Sequence, residues 1–136
     1  MTSPSCRFAT EAEQLAGAPF RLHGRDPETG IDCVGLVAVA LREAGVSARP
    51  PEDYALRNLD CEAMFGSAML SGFAPFAGPV LRGDLLAIRP GPAQCHLVVA
   101  LGRDRFVHAH AGLRRAIIQT GLGGWPIWRH WRLSQS

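Results

Sequence analysis

The pair best placed to do chemistry in this chain is Asp32-Cys33, at the head of the run IDCVGLVAVALREAG. Cys33, Leu36, Val37, Ala40, Leu41 and Ala44 recur at helical spacing, with Val34 and Ala38 widening the stripe, so the pattern predicts a largely buried helix. Asp32 stands where an N-cap belongs, and Gly45 where the chain must turn left-handed to leave. Cys33 then occupies the first helical turn. Unpaired backbone N–H groups and the positive end of the helix dipole there favour a thiolate over a thiol. A thiolate at neutral pH is a nucleophile. The plainer role for any cysteine is that of a small core residue, so the chemical reading needs a base.

The bases on offer are His23, His96, His108, His110 and His130. His96 opens a strand, His96–Leu101, that is apolar on both faces and therefore expected to be central in a sheet. Across the GRDR linker, Arg105–His110 carries His108 and His110 on one face with Phe106. A hairpin symmetric about Arg103-Asp104 sets His108 opposite Val99, a few residues from His96. Cys33 as nucleophile, His96 as base and His108 holding the imidazole would make a Cys–His–polar triad. Cys95, His96, His108 and His110 could instead form a soft metal site. That set lacks a carboxylate and leaves Cys33 unexplained, so neither metal nor cofactor is expected. His23 and His130 lie in loop-like or edge-like contexts and read as structural. Asp84, in RGDLLAI, reads as a turn residue at the start of a strand.

These groups need elements to hold them. Ser3-Pro4 can cap a first helix through Phe8, Ala12 and Leu15, closed by Gly17 and Pro19, although Thr10 with Glu13 could be a capping box for a shorter one. A short helix is expected over 59–70, and SGFAPFAGP reads as loop. From Gly83 onward the texture is that of strands: Asp84–Arg89, His96–Leu101, Arg105–His110, Ala116–Thr120 and Pro126–Leu133. Helices first and strands after predict a single α+β domain over 1–136, with the Cys33 helix packed on an antiparallel sheet of about five or six strands. All three tryptophans fall in GGWPIWRHWRL, read as a last strand whose aromatics finish the core. A docking surface is the sharper reading of that segment.

Composition narrows the function. The chain has 136 residues, 47% of them hydrophobic, and a net charge of +2 with its basic residues scattered. Neither nucleic acid nor an anionic membrane is thereby indicated as a partner. No apolar run is long enough to span a bilayer. The N-terminus lacks the pattern of a signal peptide, so synthesis in the cytoplasm is expected. The four cysteines match no CxxC pattern, and a reducing compartment disfavours disulfides.

Taken in order, GIDCVGLV, RGDLLAI and CHLVVALGRDRFVHA resemble the NlpC/P60 superfamily of papain-like cysteine peptidases, and AEQLAGAPFRLHG looks like its leading helix and the stretch that follows. The resemblance runs from about Ala9 to Ala109. The short length and the absence of a signal peptide or wall-anchoring module look most like the phage and gene-transfer-agent tail subgroup. The resemblance implies hydrolysis of an amide bond in peptidoglycan stem peptides, typically D-Glu to a diamino acid. Phage-like tail proteins would be partners, and the site of action would be the periplasm after delivery. Carried over, Cys33 is the nucleophile, His96 the general base and acid, and His108 the orienting residue. The family's substrate subsite uses a Tyr, an Asp and a Ser. Here these positions are Phe20, Asp32 and Val34, and Tyr54 could return a hydroxyl. Loss of two hydroxyls implies that a free N-terminal amine is not required, since a hydrogen bond to a charged group is worth roughly 1.5–3 kcal/mol. The same residues would also suit a Cys–His acyltransferase, and the fold alone could serve as a non-catalytic tail or binding module.

Overall fold

The structure is a computed structural model in which residues 3–47, 71–91 and 95–134 are described. The expected 59–70 helix and Tyr54 lie outside the described residues. Helix α1 spans Pro4–Gln14. The Ser3 hydroxyl accepts the Cys6 N–H at 3.2 Å, with Pro4 just inside the start. Phe8, Ala9 and Ala12 are its buried face. Thr10 and Glu13 do not cap a shorter helix; their side chains accept the Arg82 guanidinium at 3.2 and 3.1 Å.

Helix α2 spans Cys33–Glu43. The Asp32 carboxylate accepts the Gly35 N–H at 2.7 Å, and Gly45 leaves the helix at φ 81°. Between the helices, β1 (Arg25–Asp26) and β2 (Gly30–Ile31) form a two-stranded ribbon. Gly35 lets this ribbon approach α2 closely, because a Cβ there would overlap the Gly24 carbonyl oxygen.

The remaining strands are β3 (Phe73–Pro75), β4 (Leu85–Ile88), β5 (His96–Ala100), β6 (Arg105–His110), β7 (Arg115–Thr120) and β8 (Ile127–Leu133). They form one six-stranded sheet, ordered β3-β8-β4-β5-β6-β7, with every pair antiparallel. The expected α+β architecture is present. One segment read as loop, Phe73–Pro75, is an edge strand on β8. With Gly72 before it and a proline ending it, its only strand signal is the partner it meets.

Two apolar layers explain why β5 carries no polar face. Leu97, Val99 and Leu101, with Val107 and Ala109, face α1 and α2 in the main core alongside Phe8, Leu36 and Leu41. Val98 and Ala100 turn to the opposite layer with Leu86, Ile88 and Phe106, covered by Val80, Leu122 and Trp125. The tryptophans divide accordingly. Trp131 is completely buried in the main core, Trp128 packs partly against it, and Trp125 precedes β8 on the other side.

The hairpin register differs from the symmetric one. Leu101 N–H donates to the Arg105 carbonyl, so Gly102, Arg103 and Asp104 form the loop and Val99 pairs with Val107. His108 therefore does not face Val99. The shift matters, because strand side chains alternate: opposite Val99, His108 would lie on the helix face, away from His96. The observed register puts His96, His108 and His110 on one face.

Asp84 ties the sheet together. Fully buried, it accepts the Leu81 N–H in the expected turn, at 2.9 Å. It also receives Arg132 at 2.7 and 2.8 Å and His130 at 2.6 Å, both from β8. Burial opposes its ionisation, but Arg132, the Leu81 N–H and His130 together outweigh burial and hold the carboxyl below its ordinary range. A lowered carboxyl stabilises the fold above the ordinary carboxylate range, and the contribution is lost as pH falls through the folded value. Asp84→Asn should cost about 2–3 kcal/mol at neutral pH, leaving Arg132 partly buried without its anion, and should flatten the acid limb of stability against pH. Urea unfolding at stepped pH reads both effects; an unchanged acid limb would contradict the assignment.

Candidate active site

The site lies where the start of α2 meets the start of β5. Cys33 is 9% exposed, and the backbone N–H groups of Leu97, Val34 and Cys33 itself lie around its sulfur. The sulfur thus sits against the backbone of the residue that follows His96. No hydrogen bond joins the Cys33 and His96 side chains among the described residues. His96 Nε2 instead lies 2.8 Å from His108 Nδ1, with the two rings edge-to-face. His108, 1% exposed, has its Nε2 2.9 Å from Gln119 Oε1. Trp125 stands edge-on to both imidazoles, its ring centre 6.4 Å from His96 and 6.3 Å from His108.

The expected thiolate is not the resting form. Burial first, and then the charge of Asp32, push the Cys33 thiol up to about 12. The three backbone N–H groups work the other way and are outweighed. Burial outweighs the helix dipole at this position, and the capping residue Asp32 adds an anion near the sulfur. His96 moves oppositely. Burial, then the neighbouring His108 and His110, bring it down to about 3. His108 is also lowered, chiefly by burial, with its Gln119 bond opposing. At rest the thiol and the imidazoles of His96 and His108 are therefore neutral.

Asp32, Phe20 and Val34 do not line an open polar subsite. Asp32 is 2% exposed and already engaged: Oδ1 takes the Gly35 N–H and Arg25 at 3.2 Å, and Oδ2 takes the His23 N–H at 2.8 Å. Val34 is buried in the core, and Phe20 packs partly against it. His110 stands outside the relay. Its ring lies 5.8 Å from His108, and its Nδ1 accepts the Leu113 N–H in a turn at 3.1 Å. The alternative metal set does not assemble. Cys95 is disulfide-bonded, contrary to the expectation from a reducing compartment. Among the described residues, no group of three or more His, Cys, Asp or Glu could hold a metal ion.

Two contributors escaped the sequence reading. Gln119 is one of three polar residues on a half-exposed strand, and only the pairing of Phe106 with Gln119 places it on the histidine face. Trp125 was assigned to the last strand, whereas it belongs to the preceding turn, its N–H donating to the Leu122 carbonyl.

A cysteine at the head of a buried helix, packed on an antiparallel sheet whose adjoining strand carries histidine, defines the α+β papain-like fold. The chain belongs to the NlpC/P60 family, whose sequence profile matches residues 17–128. Solved structures agree in fold. NlpC1 from Trichomonas vaginalis superposes with a TM-score of 0.76 at 18% identity, over 100% of this chain and 46% of that one. The peptidoglycan hydrolase RipB from Mycobacterium tuberculosis gives 0.63 at 22% identity, over 96% and 65%. The P60 domain of an antigen from M. avium subspecies paratuberculosis gives 0.60 at 20%, over 95% and 93%. The chain spans about half the length of NlpC1 and NlpC2, 46% and 49%. No curated protein sequence matches it.

The charge state of the site has a direct readout. The His96 ring should keep its neutral NMR signature from pH 7 down to about pH 4, because its midpoint lies near 3 instead of the ordinary 6.5. Folding stability should fall as pH drops below about 6.5, where the unfolded chain takes up a proton that the fold refuses, and the loss should level off below about 3. In a Cys6→Ser background, alkylation of Cys33 should still be accelerating above pH 9, the ordinary thiol value. A His96 midpoint near 6.5, or an alkylation midpoint below 8, would contradict this charge state.

Proposed function

We propose that this protein is a cysteine peptidase that hydrolyses an amide bond in peptidoglycan stem peptides, with Cys33 as nucleophile, His96 as general base and acid, and His108 orienting His96. The observation that supports it best is at the start of β5: the Leu97 N–H is near enough to favour ionisation of the Cys33 thiol, while the preceding residue, His96, pairs with His108. Family membership and the likeness in fold to a protein named as a peptidoglycan hydrolase point to the same substrate.

The chemistry follows from the resting charges. With thiol and imidazole both neutral, attack and proton transfer go together: the sulfur bonds to the substrate carbonyl carbon as His96 takes the thiol proton. Backbone N–H groups near the sulfur, including that of Cys33, would stabilise the oxyanion that develops. Collapse breaks the C–N bond, the amine leaves with the proton held by His96, and a thioester remains. Water then attacks the thioester with His96 as base, releasing the carboxylate and restoring the thiol.

The scissile bond in this proposal is D-Glu to a diamino acid. Asp32 supports a preference among stems. Its carboxylate is committed to Gly35, Arg25 and His23, and with Phe20 and Val34 apolar, nothing in this group offers an anion to a substrate ammonium. Stems still attached to the glycan, or cross-linked, are therefore substrates. We also place the protein, on the sequence resemblance, among tail-associated cell-wall peptidases acting in the periplasm after delivery.

Digestion of purified peptidoglycan, with mass analysis of the fragments, tests the proposal. Wild type should release fragments ending at D-Glu, from N-acylated as well as free-amine stems, and Cys33→Ala should be slower by at least about 10³-fold. Equal activity in Cys33→Ala would overturn the assignment, and strict dependence on a free amine would overturn the reading of Asp32.

A further inference from the structure

We infer that Gln119 is a positioning residue whose carboxamide sets the tautomers of both histidines and thereby makes Nδ1 the basic nitrogen of His96. The logic is that of donors and acceptors. Gln119 Nε2 donates to the Gly121 carbonyl at 3.0 Å, and that carbonyl is held in place by a backbone bond from the Gly121 N–H to Asp104. A carbonyl oxygen can only accept, so the amide end of Gln119 is fixed and its Oε1 must face His108. Oε1 also can only accept. His108 Nε2, 2.9 Å away, therefore carries the proton, and the neutral ring keeps a lone pair on Nδ1. That lone pair accepts from His96 Nε2 at 2.8 Å, so His96 too is an Nε2–H tautomer with its lone pair on Nδ1. One carboxamide on β7 thus decides, through two rings, which nitrogen of the base can take a proton.

The burial of the relay makes this control effective. His108 is 1% exposed, and Trp125 closes over both rings, so the Gln119 amide, unlike a transient water, is a standing partner for His108 Nε2. A neutral amide also differs from a carboxylate in that position. It favours a positive charge on His108 less than a carboxylate would, and burial outweighs it, so the relay is directed while staying neutral.

This inference rests on the proposed role of His96, but its first readout does not. Nitrogen NMR of ¹⁵N-labelled protein at pH 7 reports ring tautomers directly. Wild type should show both His96 and His108 as Nε2–H forms. Gln119→Leu, which keeps the volume and loses the acceptor, should redistribute the His108 and His96 tautomers and lower kcat at least about tenfold with little change in KM, as expected when a base is held in the wrong tautomer. Gln119→Glu, which keeps the acceptor, should preserve the tautomers and most of kcat while shifting the acid limb of kcat/KM to higher pH, because a carboxylate favours imidazolium. Unchanged tautomers in folded Gln119→Leu, or a Gln119→Glu variant as impaired as Gln119→Leu, would overturn the inference. Tautomers that follow the substitution in a protein inactive on peptidoglycan would uphold the positioning role and overturn the proposed function instead.

Discussion

Everything at the site depends on the hydrogen bond between His96 Nε2 and His108 Nδ1. It joins two adjacent strands and exists only because the hairpin between them closes on Leu101 and Arg105. A shift of one residue would carry His108 to the helix face opposite Val99, into the apolar main core and away from His96. The loop Gly102–Asp104 therefore acts at a distance on the chemistry. It selects the face on which the second histidine emerges.

The sheet is built to keep that face dry. β5 lies between the core under α1 and α2 and the smaller layer of Leu86, Ile88, Val98, Ala100 and Phe106. His96 and His108 on this face are desolvated, and they stay uncharged. The same burial acts on Cys33 with the opposite chemical sense, holding its proton on. The two groups therefore rest uncharged, not as a preformed thiolate–imidazolium. This differs from the expectation drawn from the helix start alone. The dipole of a single helix end offers well under the free energy that desolvation and an adjacent carboxylate take away.

Much of the frame was legible in the sequence because its signals are local. Ser3-Pro4, Asp32 and Gly45 bound the two helices through their own backbone chemistry, and the apolar stripe of α2 announces its buried face. β6 was legible for the same reason, as alternation between turn residues. What could not be read was set by partners far along the chain. β1, β2 and β3 are too short to carry a period and exist through pairing. The hairpin register depends on which residue the loop leaves out. Gln119 and Trp125 gain meaning only once β7 and the turn after it fold over the histidines. The helix-start position of Cys33 was legible, but the form of its thiol was not, since protonation follows burial and burial is a property of the whole fold.

If Cys33 is the nucleophile, its sulfur carries the acyl group of the substrate during turnover. Acid-quenching the enzyme during turnover of a stem peptide and mapping the tryptic peptides by mass tests this directly. The acyl mass is expected on the peptide from Asp26 to Arg42, which contains Cys33. Turnover with that peptide unmodified at every quench time, or with the acyl group on Cys6, would contradict it.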